Sequence, residues 1–591
     1  MDRTPFFHSL RLSILQSTFA RADDVVQSLG PSGRVLFWIF AVLIIGSSVA
    51  ILLFVNNYFL VTVPERGGEL TEGVVGTPRF INPVLAASDT DLDLTELVYS
   101  GLLRPDGHGN LVPDLAKSYD LSPDGRTYTV HLRPDARFQD GSPVTSADVA
   151  FTIEKVLDPE LKSPLAADWA GVVVTEPDAH TVVFELPQPY APFLTNLTIG
   201  ILPKHLWQNV SDAEFSFSSL NTSPVGSGPY AVASIKKDAS GAAEAYNLTA
   251  FSQYALGAPY ITNFTLAFYD SESGLAAAIQ SGTVDAAGGI SPADLPQVAG
   301  SRVLSVPLNR VFGVFFDQNN NPALQMPEVR AALSEAVDRK AIINSALGGY
   351  ATPLNGPLPP ALALPMSSTT IASSTATSTS TDPALAARAT LLAQGWTPGP
   401  DGTLQKTTKT GKNTQTTELS FSLSTSNVPE LIAVADALQK TWAEVGAKVD
   451  VQVYDQGDLS ENIIQPRKYD ALLFGEIVNQ GVDLFAFWDS SQRNDPGLNI
   501  AMYANLTVDS ILQKLRDGTD ASDTPKLYAE FQDEIEKDNP AVFLYAPDYL
   551  YIVPENLKGV SVSSMDSPSD RFDTVEDWYL ATNSVWRVFA R

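Results

Sequence analysis

Carboxylates are the most abundant groups in this chain that could take part in chemistry, with 67 Asp and Glu among 591 residues. Asp89, Asp91 and Asp93 have the alternate spacing that opens a calcium-binding loop. Such a loop also needs glycine at its sixth position and a bidentate acid at its twelfth. Leu94 and Ser100 stand there instead. We therefore interpret the three acids as the solvated start of a helix, where the helix dipole favours negative charge.

Motifs for covalent or metal-assisted catalysis are missing from the sequence. It has no Gly-x-Ser-x-Gly elbow, no His-Glu-x-x-His pair and no Walker loop, and its five histidines are scattered. The lack of cysteine excludes disulfides, thiolate metal sites and cysteine nucleophiles. Gly226-Ser-Gly228 lacks the third glycine of a dinucleotide loop and precedes Pro229, so it predicts a tight turn. These absences weigh against an enzyme, a metal and a cofactor without deciding the question.

Short strands, turns and helices follow one another from Glu65 onward. Ser146 is predicted to cap a helix that runs through Val156. The mixture predicts an α/β fold and not a repeat array. The clearest remaining patterns are strands at 128–133 and 182–186 and helices at 329–337 and 431–445.

One apolar segment predicts a membrane anchor. Residues 35–55 carry no charge, and about 20 apolar helical residues span a bilayer core. Arginines mark the cytoplasmic side, and four precede the run at Arg3, Arg11, Arg21 and Arg34. We therefore expect a transmembrane anchor at 35–57, an N-terminus inside the cell, and the bulk of the chain on the extracytoplasmic face. A buried core helix and a cleaved signal peptide are the alternatives.

The net charge of −29 predicts no nucleic-acid partner, because so acidic a surface repels a phosphate backbone. Residues 1–34 predict a cytoplasmic tail, either loose or with a small amphipathic helix. The Ser/Thr-rich stretch 367–382 cannot bury a core, so it predicts an exposed loop inserted in a domain, with an interdomain linker as the alternative.

Several blocks resemble the extracellular solute-binding proteins of family 5, the peptide and nickel receptors of ABC importers. The most specific is Asp124-Gly-Arg-Thr-Tyr-Thr-Val-His-Leu-Arg133, followed by Ala136-Arg-Phe-Gln-Asp-Gly141 and Pro143-Val-Thr-Ser-Ala-Asp-Val149. Earlier and later blocks keep the same order, among them Ile81-Asn-Pro83, Gly226-Ser-Gly-Pro-Tyr230 and Ala278-Ile-Gln-Ser-Gly-Thr-Val-Asp285. The resemblance covers about residues 66–580.

The resemblance implies a two-lobed periplasmic-binding-protein-like α/β fold with an extra subdomain. Lobe closure around a solute would then present a closed shape to the importer. The implied division is a discontinuous lobe I at 66–101, 223–308 and 548–591, an inserted subdomain at 102–222, and lobe II at 309–547.

The resemblance also implies a ligand site. In peptide-binding members an acid of the second lobe receives the peptide's amino group. The matching loop here spans 473–483, where the family's usual aromatic after the glycine and acid three residues later are replaced by Glu476 and Asn479. Asparagine cannot form the ion pair, so Glu476 or Asp483 is predicted to supply the charge. The full set of predicted ligand-binding residues is Ala87, Ser88, Asp89, Phe474, Gly475, Glu476, Asn479 and Asp483.

These expectations combine into one functional prediction. The chain is a membrane-anchored solute-binding protein, not an enzyme, that delivers a peptide-like solute to the permease subunits of an ABC importer. Its alternatives are an anchored sensor or structural module that kept the fold, and a cell-wall hydrolase.

Overall fold

A computed structural model describes the chain at residues 26, 28–298, 301–360, 362, 382–410, 413–478, 483–518 and 523–588. Residues 66–580 form one compact unit, and the segments on either side of them form another. Of the predicted segments, 1–34 except residues 26 and 28–34, and the Ser/Thr-rich stretch 367–382 except residue 382, lie outside the described residues.

The helices agree with the predicted patterns. In chain order they are α1 (Pro31–Phe59), α2 (Asp89–Val98), α3 (Ser146–Leu157), α4 (Phe193–Asn196), α5 (Lys204–Trp207), α6 (Asp212–Phe215), α7 (Glu272–Gln280), α8 (Pro327–Glu335), α9 (Arg339–Ala346), α10 (Pro383–Ala393), α11 (Pro429–Val445), α12 (Gln456–Asp458), α13 (Phe485–Trp488), α14 (Leu506–Asp517) and α15 (Thr524–Asp538).

The strands include both predicted ones, as β6 and β8. In chain order they are β1 (Leu60–Glu65), β2 (Glu69–Val75), β3 (Leu103–Pro105), β4 (Leu111–Pro113), β5 (Ala116–Leu121), β6 (Thr127–Leu132), β7 (Val173–Asp178), β8 (Thr181–Glu185), β9 (Tyr230–Lys237), β10 (Ala243–Ala250), β11 (Asn263–Tyr269), β12 (Ala286–Gly288), β13 (Arg302–Pro307), β14 (Arg310–Phe316), β15 (Ala351–Pro353), β16 (Thr397–Pro398), β17 (Leu404–Thr410), β18 (Asn413–Glu418), β19 (Ser420–Ser426), β20 (Lys448–Tyr454), β21 (Ala471–Ile477), β22 (Ala541–Val553) and β23 (Ala581–Trp586).

One local prediction needs correction. The cap of α3 is Thr145 and not Ser146: Thr145 and Asp148 form a capping box, while the Ser146 hydroxyl donates to the Asp178 carbonyl at 2.6 Å. At the predicted tight turn the chain bends over residues 227–229, and a Cβ at Gly226 or Gly228 would lie within 2.6 Å of the Val98 backbone, so both glycines are also needed for a close backbone approach.

The smaller unit consists of the apolar helix α1 and the antiparallel pair β1–β23. Residues 31–56 of α1 are long and apolar enough to cross a membrane, and none of its apolar stretch is buried. A buried core helix, one of the alternatives, would be covered by the protein, so this exposure is inconsistent with it.

The larger unit is organised by one continuous sheet. Its strand order is β20-β19-β21-β14-β22-β12-β2-β11-β10-β9, with β13 and β15 also paired to β22. The 13-residue strand β22 pairs with β14 through its first half and with β13 through its second half. Consequently β22 passes from one half of the sheet to the other without a break.

Apolar cores lie on both sides of this sheet. Two cores cover the strands beyond residue 309, one containing α8–α11 and the other containing α13–α15. These strands are β14, β19, β21 and the start of β22. In the other half, a large core joins β2, β10 and β11 to the sheet β5-β6-β8-β7 and helix α3. A smaller core packs α7 on the opposite face.

A buried ion cluster joins the two ends of the larger unit. Arg571 binds Asp93 with both terminal nitrogens, at 2.6 and 2.7 Å, and its Nε contacts Glu72 at 2.7 Å. The Tyr551 hydroxyl donates to the other Glu72 oxygen at 2.6 Å. Asp93 is 2% exposed, and Asp91 is buried where it closes the capping box of Ser88. The three acids therefore do start a helix, as predicted, but only Asp89 is solvated.

Replacing Arg571 with Met should lower the free energy of unfolding by about 3–5 kcal/mol, because it leaves two buried carboxylates without their cation. Urea unfolding of the full chain in detergent measures the change. Arg79→Met, at an exposed arginine, is the control and should change it by less than about 0.5 kcal/mol. Equal effects of the two substitutions would contradict the role given to the cluster.

Candidate functional site

A cleft of about 560 Å³ opens on the face of the sheet beyond residue 309. Three residues on neighbouring strands lie side by side in its floor: Gly475 on β21, Phe312 on β14 and Tyr545 on β22. The Phe312 and Tyr545 rings stack with centroids 5.2 Å apart. The strands thus build a flat aromatic floor from residues that are distant in sequence.

The position of the Phe312 ring in this floor requires glycine at residue 475. A Cβ at position 475 would lie 2.6 Å from the Phe312 ring, closer than real side chains approach. Two residues further along the paired strands, Arg310 lies opposite Ile477. Side chains two apart on a strand share a face, so Arg310 and Ile477 extend the floor at one end, and both line the cleft.

The rim of the cleft carries opposite charges. Arg310 lies at one strand end, and its Nε is buried without a hydrogen-bond partner among the described residues. Glu430 lies in the first turn of α11. The rest of the lining is mainly apolar and includes Leu308, Leu347, Val428, Leu431, Leu459, Phe474 and Pro547. Such a cleft suits a solute with an apolar body and charged ends.

Strand alternation separates the predicted residues of β21. Gly475 lines the cleft and Phe474 borders it. Glu476 lies on the opposite face of the sheet, opposite Val311, and is 4% exposed. Its Oε2 has no hydrogen-bond partner in the described structure, and burial raises the pKa of Glu476 well above its ordinary value. Burial therefore favours the protonated form of this side chain beneath the floor.

The other predicted residues lie elsewhere. Asp483 forms an ion pair with Arg516 at 3.1 Å, and burial raises the pKa of Asp483 while Arg516 opposes the shift. Ala87, Ser88 and Asp89 are exposed before and at the start of α2 and do not line the cleft. Asn479 lies outside the described residues. The structure therefore brings together only Phe474 and Gly475 of the predicted set.

Arg310 and Glu430 were not among the predicted residues, although the sequence carried a signal for one of them. Arg310 is the first residue of the otherwise apolar strand Arg-Val-Phe-Gly-Val-Phe-Phe. A charged residue next to a buried strand usually needs a polar partner or access to solvent. Alternation along the 473–477 segment also indicated that Gly475 and Glu476 face opposite sides. Nothing in the sequence placed Glu430 beside these strands.

A second contact region joins the core that contains α3 to the core that contains α14. Arg516 on α14 lies 4.5 Å from the Phe485 ring centroid and 5.8 Å from that of Tyr190. The Ala191 N–H donates to the Arg516 carbonyl at 3.1 Å. Asp483 thus orients Arg516 at this contact. We call the contact region formed by Asp483, Arg516, Tyr190 and Ala191 the latch.

The comparisons with known proteins agree with this architecture. The model for bacterial extracellular solute-binding proteins, family 5 Middle, matches residues 110–495. The chain belongs to that family. Its members are receptors that bind solutes outside the cytoplasm, which confirms the predicted family, the α/β binding-protein fold and the prediction that the protein is not an enzyme.

Three relatives span nearly the whole chain. The oligopeptide-binding protein AppA of Bacillus subtilis is 26% identical over 88% of this chain and 92% of its own length. The substrate-binding protein CtaP of Listeria monocytogenes is 26% identical with a TM-score of 0.72, covering 87% of this chain and all of that one. NikZ of Campylobacter jejuni, solved with Ni(L-His), is 26% identical with a TM-score of 0.65, covering 86% and 99%.

Glu476→Gln should raise the free energy of unfolding relative to wild type, and the gain should grow with pH. The folded protein holds the Glu476 proton after the unfolded chain has lost it. The contribution of Glu476 to wild-type stability therefore falls as pH rises above the unfolded pKa of about 4.3, by at most about 1.4 kcal/mol per pH unit.

Urea unfolding of both proteins at pH 5, 6, 7 and 8 measures this difference. Glu461→Gln, at an exposed position, is the matched control and should show no such trend. A gain for Glu476→Gln that stays constant across these pH values would mean that Glu476 is ionised in the folded protein.

Arg516→Ala should open the latch. Of the Arg516 side-chain contacts named here, the one with Tyr190 crosses from the predicted lobe II to the subdomain, whereas Asp483 and Phe485 lie in the same predicted lobe as Arg516. Losing this cation–π contact, about 0.5–1 kcal/mol, should raise the ratio of open to closed molecules roughly 2- to 5-fold. The lack of native cysteine allows dyes at Glu176→Cys and Lys440→Cys, both exposed positions, and single-molecule energy transfer then reports the distance between them. Lys514→Ala, on the same helix, is the control. An unchanged distance distribution in Arg516→Ala would exclude the latch.

Proposed function

We propose that the protein captures a peptide or peptide-like solute in the cleft and delivers it to the permease subunits of an ABC importer. The observation that carries the proposal is the apolar floor with Arg310 and Glu430 at its rim. The family membership and the oligopeptide-binding relative from Bacillus subtilis support the same role. The cleft volume of about 560 Å³ lies within the usual range of small-molecule sites, about 300–1,000 Å³.

The two charges favour a zwitterionic solute. A guanidinium binds carboxylate or carbonyl oxygens through its fork of N–H donors, and Arg310 holds a buried donor without a protein partner in the described structure. Glu430 is the complementary acceptor for an amine.

We infer that the lobes hinge at the two places where the chain crosses between the halves of the sheet. Leu308 and Asn309 connect β13 to β14, and Pro547 and Asp548 lie in the middle of β22. The Leu308 N–H donates to the Pro547 carbonyl at 2.9 Å, so the two crossings are hydrogen-bonded neighbours. The two crossings support the boundaries of the predicted lobe II (309–547) against the predicted lobe I (66–101, 223–308 and 548–591), although residues 581–591 belong to the smaller unit. The subdomain (102–222), and Ala87, Ser88 and Asp89 as the facing wall in the closed state, remain part of the proposal.

We further propose that α1 anchors the protein in the membrane with its N-terminus inside and the binding lobes outside. The uncharged run at 35–55 and the preceding arginines support this orientation. The exposed apolar surface of α1 supports it too, since that surface needs a covering in water.

Mass spectrometry of solutes released from the purified protein identifies the ligand, and calorimetry with that ligand tests the site. We expect Arg310→Met and Glu430→Gln each to cost about 2–5 kcal/mol of binding, the loss of an enclosed charge-assisted contact. Blocking the ligand's amine should reduce the free energy of binding to wild type by as much as the Glu430→Gln substitution does. In the Glu430→Gln variant the blocked ligand should bind almost as well as the free one.

Three variants serve as comparisons in the same titrations. Glu444→Gln, exposed on the same helix, should leave the affinity unchanged. Glu476→Gln and Asp483→Asn test the acids predicted from the resemblance. If either of them weakens binding and Glu430→Gln does not, the amine site lies at the 473–483 loop and our assignment is wrong.

A further inference from the structure

In the smaller unit, the segment that follows α1 pairs with a segment near the C-terminus. β1, which follows α1 directly, pairs antiparallel with β23 near the C-terminus in six residue pairs, from Leu60 with Trp586 to Glu65 with Ala581. The Arg587 N–H also donates to the Phe59 carbonyl at 2.7 Å. The C-terminal segment is therefore held against the end of α1 by backbone hydrogen bonds.

The length of α1 places this junction at a definite depth. The uncharged run 35–55 rises about 32 Å as a helix, which matches a hydrocarbon core of about 30 Å. Asn56, Tyr58 and Phe59 then lie in the interfacial layer just beyond the core. That layer is where amphipathic aromatic side chains are enriched in membrane proteins.

Trp586 is fixed beside these residues. Its indole N–H donates to Asn56 Oδ1 at 2.9 Å, and its ring stacks on Phe59 with centroids 6.1 Å apart. Even so, 44% of Trp586, 74% of Tyr58 and 77% of Val588 remain exposed. A two-stranded sheet with this much exposed apolar surface is marginal in water.

The charge pattern of the segment also fits a lipid surface. Residues 581–588 contain no acid and one arginine, Arg587, in a chain whose net charge is −29. An anionic headgroup layer repels an acidic surface but attracts a lone cation next to exposed aromatic groups. The lipid interface is therefore the partner whose chemistry matches this surface.

We propose that the C-terminal segment 581–588 binds the outer interfacial layer of the bilayer through Trp586 and Val588, forming with Tyr58 and Phe59 one membrane-contacting surface built from both ends of the chain. The inference rests on the anchor in the proposed function and is independent of the solute and its site.

Single cysteines test it in the full chain, reconstituted in vesicles of neutral and anionic phospholipids, because the wild-type protein has no cysteine. A fluorophore at Val588→Cys is compared with one at Ile45→Cys inside α1 and one at Ala239→Cys, which is exposed. Nitroxide lipids labelled at the headgroup or in mid-chain quench the fluorescence. We expect headgroup quenching at 588 to exceed that at 239 roughly two- to three-fold, and mid-chain quenching to be strongest at 45.

The outcomes separate the two proposals. Quenching at 45 with no excess at 588 over 239 overturns the interfacial site while leaving the anchor intact. Absence of mid-chain quenching at 45 overturns the anchor and this inference together. Trp586→Ser should reduce the headgroup quenching at 588 to roughly half. Trp586→Phe keeps a ring that can stack on Phe59, so it should retain most of the quenching. Equal quenching in both variants would exclude Trp586 as the group that holds the segment at the interface.

Discussion

The pairing of Arg571 with two buried carboxylates is the constraint on which the larger unit depends. Glu72 belongs to the first strand of the sheet, Asp93 to the helix that follows it, and Arg571 to a turn almost 500 residues later. Isolated ions at this depth would be strongly destabilising, and only their mutual contact makes burial tolerable. The cluster therefore requires the beginning and the end of the chain to meet. Tyr551, which completes it, lies on β22, so the same contact fixes the strand that continues into the cleft.

The floor of the cleft follows from that arrangement. β22 brings Tyr545 next to Phe312, and Phe312 in turn needs the space above Gly475. A strand exposes alternate residues on opposite faces, so once Gly475 faces the cleft, Glu476 must face the core behind it. The strand register decides which groups a solute can meet. Arg310 and Ile477 line the cleft, whereas Glu476 faces the other side of the sheet, where burial favours its protonated form.

The sequence predicted what local patterns encode. Apolar alternation identified β6 and β8, helical periodicity identified α8 and α11, and the block around 124–149 carried the family resemblance. It could not predict that Asp93 is buried, because its partner Arg571 is remote in sequence and no periodicity links them. The same limit applies to the site. Gly475 was found through resemblance, whereas Glu430 reaches the cleft only through packing of α11 against the sheet. Ser146 was mistaken for a cap because Thr145 and Ser146 are chemically equivalent candidates until the chain path is known.

The unbroken course of β22 through both halves of the sheet has a consequence for biosynthesis. A ribosome adds residues from the N-terminus, and domains usually fold as soon as their own sequence is available. Here the half of the sheet that contains β2 is incomplete until residues 541–553 of β22 have been made. The buried acids Glu72 and Asp93 have no cation until Arg571 has been added. Most of the larger unit must therefore stay unfolded during synthesis, with apolar strands exposed and long-range contacts unmade, which is a slow and aggregation-prone route. We therefore expect its export to depend on factors that bind the extended chain until about the last fifty residues have been synthesised.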